Sequence, residues 1–223
     1  MVGRYGILLD IPVTDLVIEG PTVEPLTIDE VKQHLRFQST SEDSLLALYI
    51  AAARQAFEHA TDRQLLAATW ERRYQWFPAR ELELPRPPLL EVLSVSYFDA
   101  DGAELTLAAG TDYVVEAPTG DFAARGVVRA VTAWPSARGA LGDVRVRYRA
   151  GYGETPSDVP ALARTAMLMH IGVLHKPGRS AVLETQDELK KVPLGYDEIV
   201  QAFKYSARSV YPIPQRTWST VLA

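Results

Sequence analysis

At Trp70 the apolar residues of this chain stop recurring at helical spacing and begin to alternate, and near Ser157 the helical spacing returns. A chain with that pattern builds helices on its two flanks and strands between them, so its fold must place a sheet between two helical halves.

On the first flank, Thr27-Ile28-Asp29-Glu30 has the form of a capping box, with Ile28, Val31 and Leu35 on one face of a short helix. A second helix begins at Glu42 or Asp43, where acids complement the helix dipole. It carries Leu46, Ile50, Ala53, Phe57 and Ala60 on one stripe. From Trp70 the alternation takes over. Trp70, Arg72, Tyr74 and Trp76 interleave with Glu71, Arg73 and Gln75; Glu81 to Leu84 alternates outright; Val144, Val146 and Tyr148 interleave with Arg145, Arg147 and Arg149. Strand-like runs at Val92 to Phe98, Glu104 to Leu107, Tyr113 to Ala117 and Gly126 to Val131 lie between. Turn chemistry punctuates them, at Asp99-Ala100-Asp101-Gly102 and Pro118-Thr119-Gly120-Asp121. Ser157, Asp158 and Pro160 then open a third helix with a stripe of Leu162, Ala166, Met169 and Val173, and a fourth is expected from Tyr196 to Arg208.

The expected fold class is therefore α+β: a helical domain of about four helices, interrupted by an antiparallel β-sheet or sandwich insertion, with extended N- and C-terminal arms. The segments are an N-terminal arm at 1–26, the first helical half at 27–66, the β insertion at 67–153, the second helical half at 154–208 with a loop at 176–195, and a C-terminal arm at 209–223.

Composition narrows the function. With 223 residues, 47% hydrophobic and 23% charged, the chain can bury a core and is not intrinsically disordered. It has no cysteine, which excludes disulfides, thiolate metal sites and a cysteine nucleophile. A net charge of -5 argues against a surface built throughout to grip a polyanion. The apolar run at the N-terminus is broken by Asp10 and Pro12, unlike a secretory signal, and Ala161 to His175 is too short to span a bilayer, so no membrane role is expected.

Catalytic signals are absent. His170 and His175 lie five residues apart, which rotates them about 140° around a helix and off a shared face. Asp99 to Gly102 has four residues of a calcium loop, but its twelfth position is Gly110 where a bidentate acid belongs, so it reads as a turn. Gly151-Tyr152-Gly153 lacks the Lys and Ser/Thr of a phosphate loop. No nucleophile, base and orienting group can be named together, so no catalytic residue, cofactor or metal is expected and the chain is read as a non-enzyme. Two features suit binding. Arg145, Arg147 and Arg149 form a basic row available to phosphates or an acidic neighbour, unless acids on the adjacent strand neutralise it. Tyr205, Arg208, Tyr211, Pro212, Pro214, Arg216 and Trp218 give the C-terminal tail a high density of anchors for a partner.

These residues carry a resemblance. Leu26-Thr27-Ile28-Asp29-Glu30-Val31-Lys32-Gln33-His34-Leu35-Arg36, Ile50-Ala51-Ala52-Ala53-Arg54 with Glu58, and Thr61-Asp62-Arg63-Gln64-Leu65 resemble the opening of the head–tail connector (adaptor) proteins of long-tailed bacteriophages. Leu84-Pro85-Arg86-Pro87-Pro88-Leu89, Tyr97 to Gly102, Ala150-Gly151-Tyr152-Gly153 and Val159-Pro160 follow in the order seen in longer members with a strand-rich insertion. Asp62 stands where that family usually has glycine.

The resemblance implies a structural virion protein at the head–tail interface, assembled in the bacterial cytoplasm. It would form a homo-oligomeric ring, expected to be dodecameric, that docks on the portal, extends the DNA channel and offers a platform to the next neck or tail-completion protein. DNA would pass without sequence-specific binding. Residues 1–158 carry 15 basic and 23 acidic side chains, against 8 and 5 in residues 159–223. A conduit for DNA should avoid a basic lining, so a neutral or acidic lumen is expected, with the basic excess on the portal side or tail. The alternative, a DNA-packaging factor such as a small terminase subunit, needs a helix-turn-helix or basic recognition helix. The helices before Trp70 supply neither.

Overall fold

The computed structural model describes residues 13–36, 38–78, 81–175 and 194–204. Along the chain run β1 (Val13–Glu19), α1 (Ile28–Leu35), α2 (Asp43–Thr61), β2 (Ala68–Tyr74), β3 (Glu81–Leu84), β4 (Leu89–Phe98), β5 (Glu104–Thr106), β6 (Tyr113–Glu116), β7 (Gly126–Ala130), β8 (Val144–Ala150), α3 (Ala161–Leu174) and α4 (Leu194–Phe203). The class is α+β, as the change of period requires.

The helices on both sides of the strands share one core. Val31 of α1, Leu46, Ile50, Ala53 and Phe57 of α2, Ala163, Ala166, Met167 and Ile171 of α3 and Val200 and Phe203 of α4 pack together. Each large side chain so buried contributes about 1.5–3 kcal/mol relative to exposure. The capping box at Thr27 forms as the sequence indicates, with the Glu30 amide donating to the Thr27 hydroxyl at 3.2 Å and the Thr27 amide to the Glu30 carboxylate at 2.8 Å. These bonds, the backbone one foremost, hold the Glu30 carboxyl below its ordinary pKa. Glu30 also pairs with Arg164 of α3, tying α1 to the far half of the chain.

The strands form two antiparallel sheets, in the orders β1-β2-β8-β4-β5 and β3-β7-β6. Trp70, Tyr74, Val95, Val146 and Tyr148 of the larger sheet and Leu82, Leu84, Tyr113 and Val128 of the smaller one meet in a second core, which makes a sandwich. Gly102 and Gly120 take the positive φ their hairpin turns need, 83° and 102°.

The junction between helices and sandwich is narrow and closed by backbone bonds. The chain enters at Leu65 to Ala67 and leaves at Gly151 to Gly153; the Ala67 amide donates to the Gly153 carbonyl at 2.8 Å and the Tyr152 amide to Leu65 at 3.0 Å. Gly151 sits at φ 135°, where a Cβ would lie 2.6 Å from the Ala67 nitrogen. At Gly153 a Cβ would meet the Asp158 carboxylate at 2.4 Å. The Gly-Tyr-Gly motif is thus a close crossing of two chain segments.

Three expectations need correction. Val13–Glu19, read as part of an extended arm, is the edge strand of the larger sheet, with Asp15 opposite Arg72 and Leu16 opposite Glu71. Its pattern is mostly exposed, so hydrophobic alternation alone could not mark it. On α3 the buried face is Ala163, Ala166, Met167 and Ile171, whereas Leu162 is exposed. This helix is apolar around most of its surface, so more than one stripe fitted the sequence. Finally α4 begins at Leu194, inside the expected loop, and ends at Phe203. The rest of the expected helix, to Arg208, and loop residues 176–193 lie outside the described residues.

Candidate functional site

Strand alternation puts Arg145, Arg147 and Arg149 on one face of β8, and pairing with β2 sets Glu71 directly opposite Arg147. Glu71 is 1% exposed. Arg147 donates to it at 2.6 Å, and Arg73, two residues along the same strand, does so at 2.6 Å. Burial alone would raise the Glu71 pKa; the bonds and charges of Arg147 and Arg73 outweigh it and leave the carboxyl below its ordinary range. The flanking arginines are matched too. Arg149 bonds Glu91 at 2.9 Å and pairs with Glu154. Arg145 lies 3.7 Å from Glu104 and stands over the Phe98 ring at 4.9 Å. The row is therefore a lattice of ion pairs, and a phosphate would have to compete with a carboxylate for each guanidinium.

A second network joins four parts of the chain. Arg54 of α2 holds Glu24 through two bonds, at 2.7 and 3.1 Å, and Glu58 at 2.9 Å. Glu58 accepts from the Gln64 side chain at 2.9 Å and from the Leu65 amide at 3.0 Å, and Gln64 in turn accepts from the Trp70 indole at 3.2 Å. Burial pushes the Glu58 pKa up against these bonds. Sequence reasoning missed this network, although the i,i+4 spacing of Arg54 and Glu58 was a signal for part of it.

The third feature fixes where the tail departs. Arg63, 2% exposed, donates from Nε to the Phe203 carbonyl at 2.6 Å and from a terminal nitrogen to the Tyr152 hydroxyl at 3.4 Å. A guanidinium there satisfies a carbonyl at the C-terminal end of α4 and complements its dipole. Phe203 itself packs on Phe57 and Phe122, with ring centroids 5.5 and 4.9 Å away. Tyr205, Arg208, Tyr211, Pro212, Pro214, Arg216 and Trp218 lie outside the described residues.

The histidines act separately. His175 faces Glu42 at 3.0 Å, while His170 meets the Tyr196 ring edge-on at 5.6 Å and its pKa is lowered by burial. Among the described residues no cluster of three or more His, Asp or Glu could hold a metal ion. Also among them, no helix is long and apolar enough to cross a membrane. What the geometry offers is rigid shape: two cores locked through a narrow junction, a tail with a fixed point of departure, and an exposed sheet edge.

Residues 25–99 match the family model of the phage gp6-like head-tail connector protein. The match covers α1, α2 and β2 to β4, and over those residues it bears out the resemblance read from the sequence. No curated protein matches the chain. Among solved structures, a chain of the virion of a native gene transfer agent particle is 20% identical, with a TM-score of 0.65, over 86% of this chain and 96% of its own. A chain from the neck of the empty particle, computed with C6 symmetry, is 18% identical at a TM-score of 0.65 over the same shares. One from the neck of the native particle, computed with C12 symmetry, is 20% identical at 0.63, again over the same shares. At these identities the likeness is one of fold, and at 86% of the chain it extends well beyond residues 25–99.

The backbone accounts for the residue at position 62. This residue ends α2 at φ 55° and ψ 36°, the left-handed conformation for which glycine is the usual choice and aspartate a tolerated one. Its carboxylate pairs with Arg125 of the sandwich, a contact glycine could not make.

Proposed function

We propose that this chain is the repeating subunit of a head–tail connector ring, a structural part of a phage or phage-like neck and not an enzyme. The observation that carries the reading is the connector-family match over residues 25–99. The fold likeness to chains from gene transfer agent necks, one of them computed with C12 symmetry, supports a closed ring of that order. A subunit that binds its neighbour head to tail closes a ring when the rotation per contact divides the circle, and it needs two different faces. The exposed apolar residues suit such contacts: Val17 and Ile18 on edge strand β1, Leu45 and Leu48 on α2, and Leu93 on β4.

In this reading the ring docks on the portal through the C-terminal arm, with Tyr205, Arg208, Tyr211, Pro212, Pro214, Arg216 and Trp218 contacting portal or the adjacent subunit. The opposite face receives the next neck or tail-completion protein. DNA crosses a neutral or acidic lumen, and the ion-paired row of Arg145, Arg147 and Arg149 serves subunit contact better than phosphate binding. Removing residues 209–223 should abolish co-purification with the cognate portal while leaving the far-UV circular dichroism unchanged. Retained portal binding would refute the role given to the tail.

A further inference from the structure

Two open hollows adjoin beyond the end of β2 that points away from the helices. The first, about 520 Å³, is walled by Trp76, Phe77, Pro78, Trp134 and Pro135. Phe77 and Trp134 stack at 4.8 Å with planes 6° apart, which makes a flat aromatic floor. The second, about 450 Å³, shares Thr132, Ala133 and Pro135 with the first and adds Leu105, Leu107 and Asp112. Asp112 is exposed and puts a negative charge at this end of the groove.

Aromatic and proline walls in two successive hollows suit an extended peptide with prolines at short intervals. Such a peptide holds a polyproline II conformation before it binds and therefore loses little entropy on docking. This chain contains a segment of that chemistry, Tyr211-Pro212-Ile213-Pro214-Gln215-Arg216. In polyproline II form it spans about 15 Å from Tyr211 to Arg216. Its two prolines can lie on the aromatic walls while Arg216 meets the charge of Asp112.

Geometry selects which copy supplies the segment. Arg63 holds the end of α4 beside the junction, and from there β2 runs about 20 Å to Tyr74, just short of the first hollow. The seven steps from Lys204 to Tyr211 cover at most about 25 Å when fully extended. A chain reaching its own groove would have to lie nearly taut across the sheet, whereas a neighbour's tail carries no such constraint. We propose that the groove between Trp76 and Asp112 receives the Tyr211 to Arg216 segment of an adjacent copy, a contact that rests on the ring reading and names one of its seams.

The test uses full-length protein with a photoreactive residue, Ile213→benzoylphenylalanine, assembled from equal amounts of normal and ¹⁵N-labelled copies. Cross-linked peptides are mapped by mass spectrometry. The expected result is attachment at residues 76–78 or 130–137, joining light to heavy copies, with yield falling at least fivefold when Pro212→Ala and Pro214→Ala are added. Those substitutions lie in the tail and spare both cores. Attachment elsewhere, attachment only within single copies, or a yield indifferent to the two prolines would overturn the proposal. Negative-stain images of the same samples separate it from the ring: rings with cross-links elsewhere sink this contact alone, whereas copies that never associate sink both.

Discussion

Gly151 shows how much of this molecule depends on single positions. Its φ of 135° is unfavourable for any residue with a Cβ, and the added carbon would press on the Leu66 and Ala67 backbone at 2.6 Å, which cannot swing aside as a side chain could. Gly151→Ala should cost on the order of 2 kcal/mol or more in urea unfolding. Gly20→Ala, where nothing lies within 4 Å and φ is ordinary, should stay within about 0.5 kcal/mol. Equal effects would contradict the close crossing. Glu71 makes a pH-dependent contribution whose sign is fixed by its lowered pKa. The unfolded carboxyl titrates near its ordinary 4.5 and the folded one below that. The stabilisation is therefore complete above the unfolded value and is lost as pH falls through the folded one. The stability gap between the wild type and Glu71→Gln should be level near neutrality and close below about pH 4.5. A gap that ignores pH would show that the arginines on either side of Glu71 do not hold it ionised.

Among the elements, α4 is held twice over, by Val200 and Phe203 in the helical core and by the buried Arg63 guanidinium on the Phe203 carbonyl. Arg63→Met removes the bonds to Phe203 and Tyr152 but keeps much of the volume, at a cost of about 1.5–3 kcal/mol for hydrogen bonds to a charged group. Amide exchange in Leu194–Phe203 should accelerate tenfold or more while β8 is unaffected. Unchanged exchange in α4 would mean that the packing of Val200 and Phe203 secures it without the guanidinium. Most elements could be read from the sequence because their signals are local. The Thr27 capping box, the α2 stripe and the β8 alternation depend on neighbours three, four or two residues away. What escaped depends on distant partners. β1 exists because β2 offers it an edge, the buried face of α3 is set by the helical core it joins, and the Arg54–Glu58–Gln64–Trp70 chain spans a helix, a loop and a strand. The arginine row was visible in the sequence, but its pairing with Glu71, Glu91 and Glu104 required the strand register.

At the scale of the whole molecule, two cores joined through bonded backbone should move as one body, since neither half can turn without breaking the contacts at Leu65 to Ala67 and Gly151 to Gly153. A rigid subunit with unlike faces is what a closed ring requires, and an edge strand with exposed valine and isoleucine is a surface that assembly would cover. The measurement that bears most directly on this is negative-stain electron microscopy of the full chain mixed with its cognate portal. Rings of this chain, about twelve-fold and stacked coaxially on the portal, are the expected result. Dispersed monomers beside bare portals would contradict it.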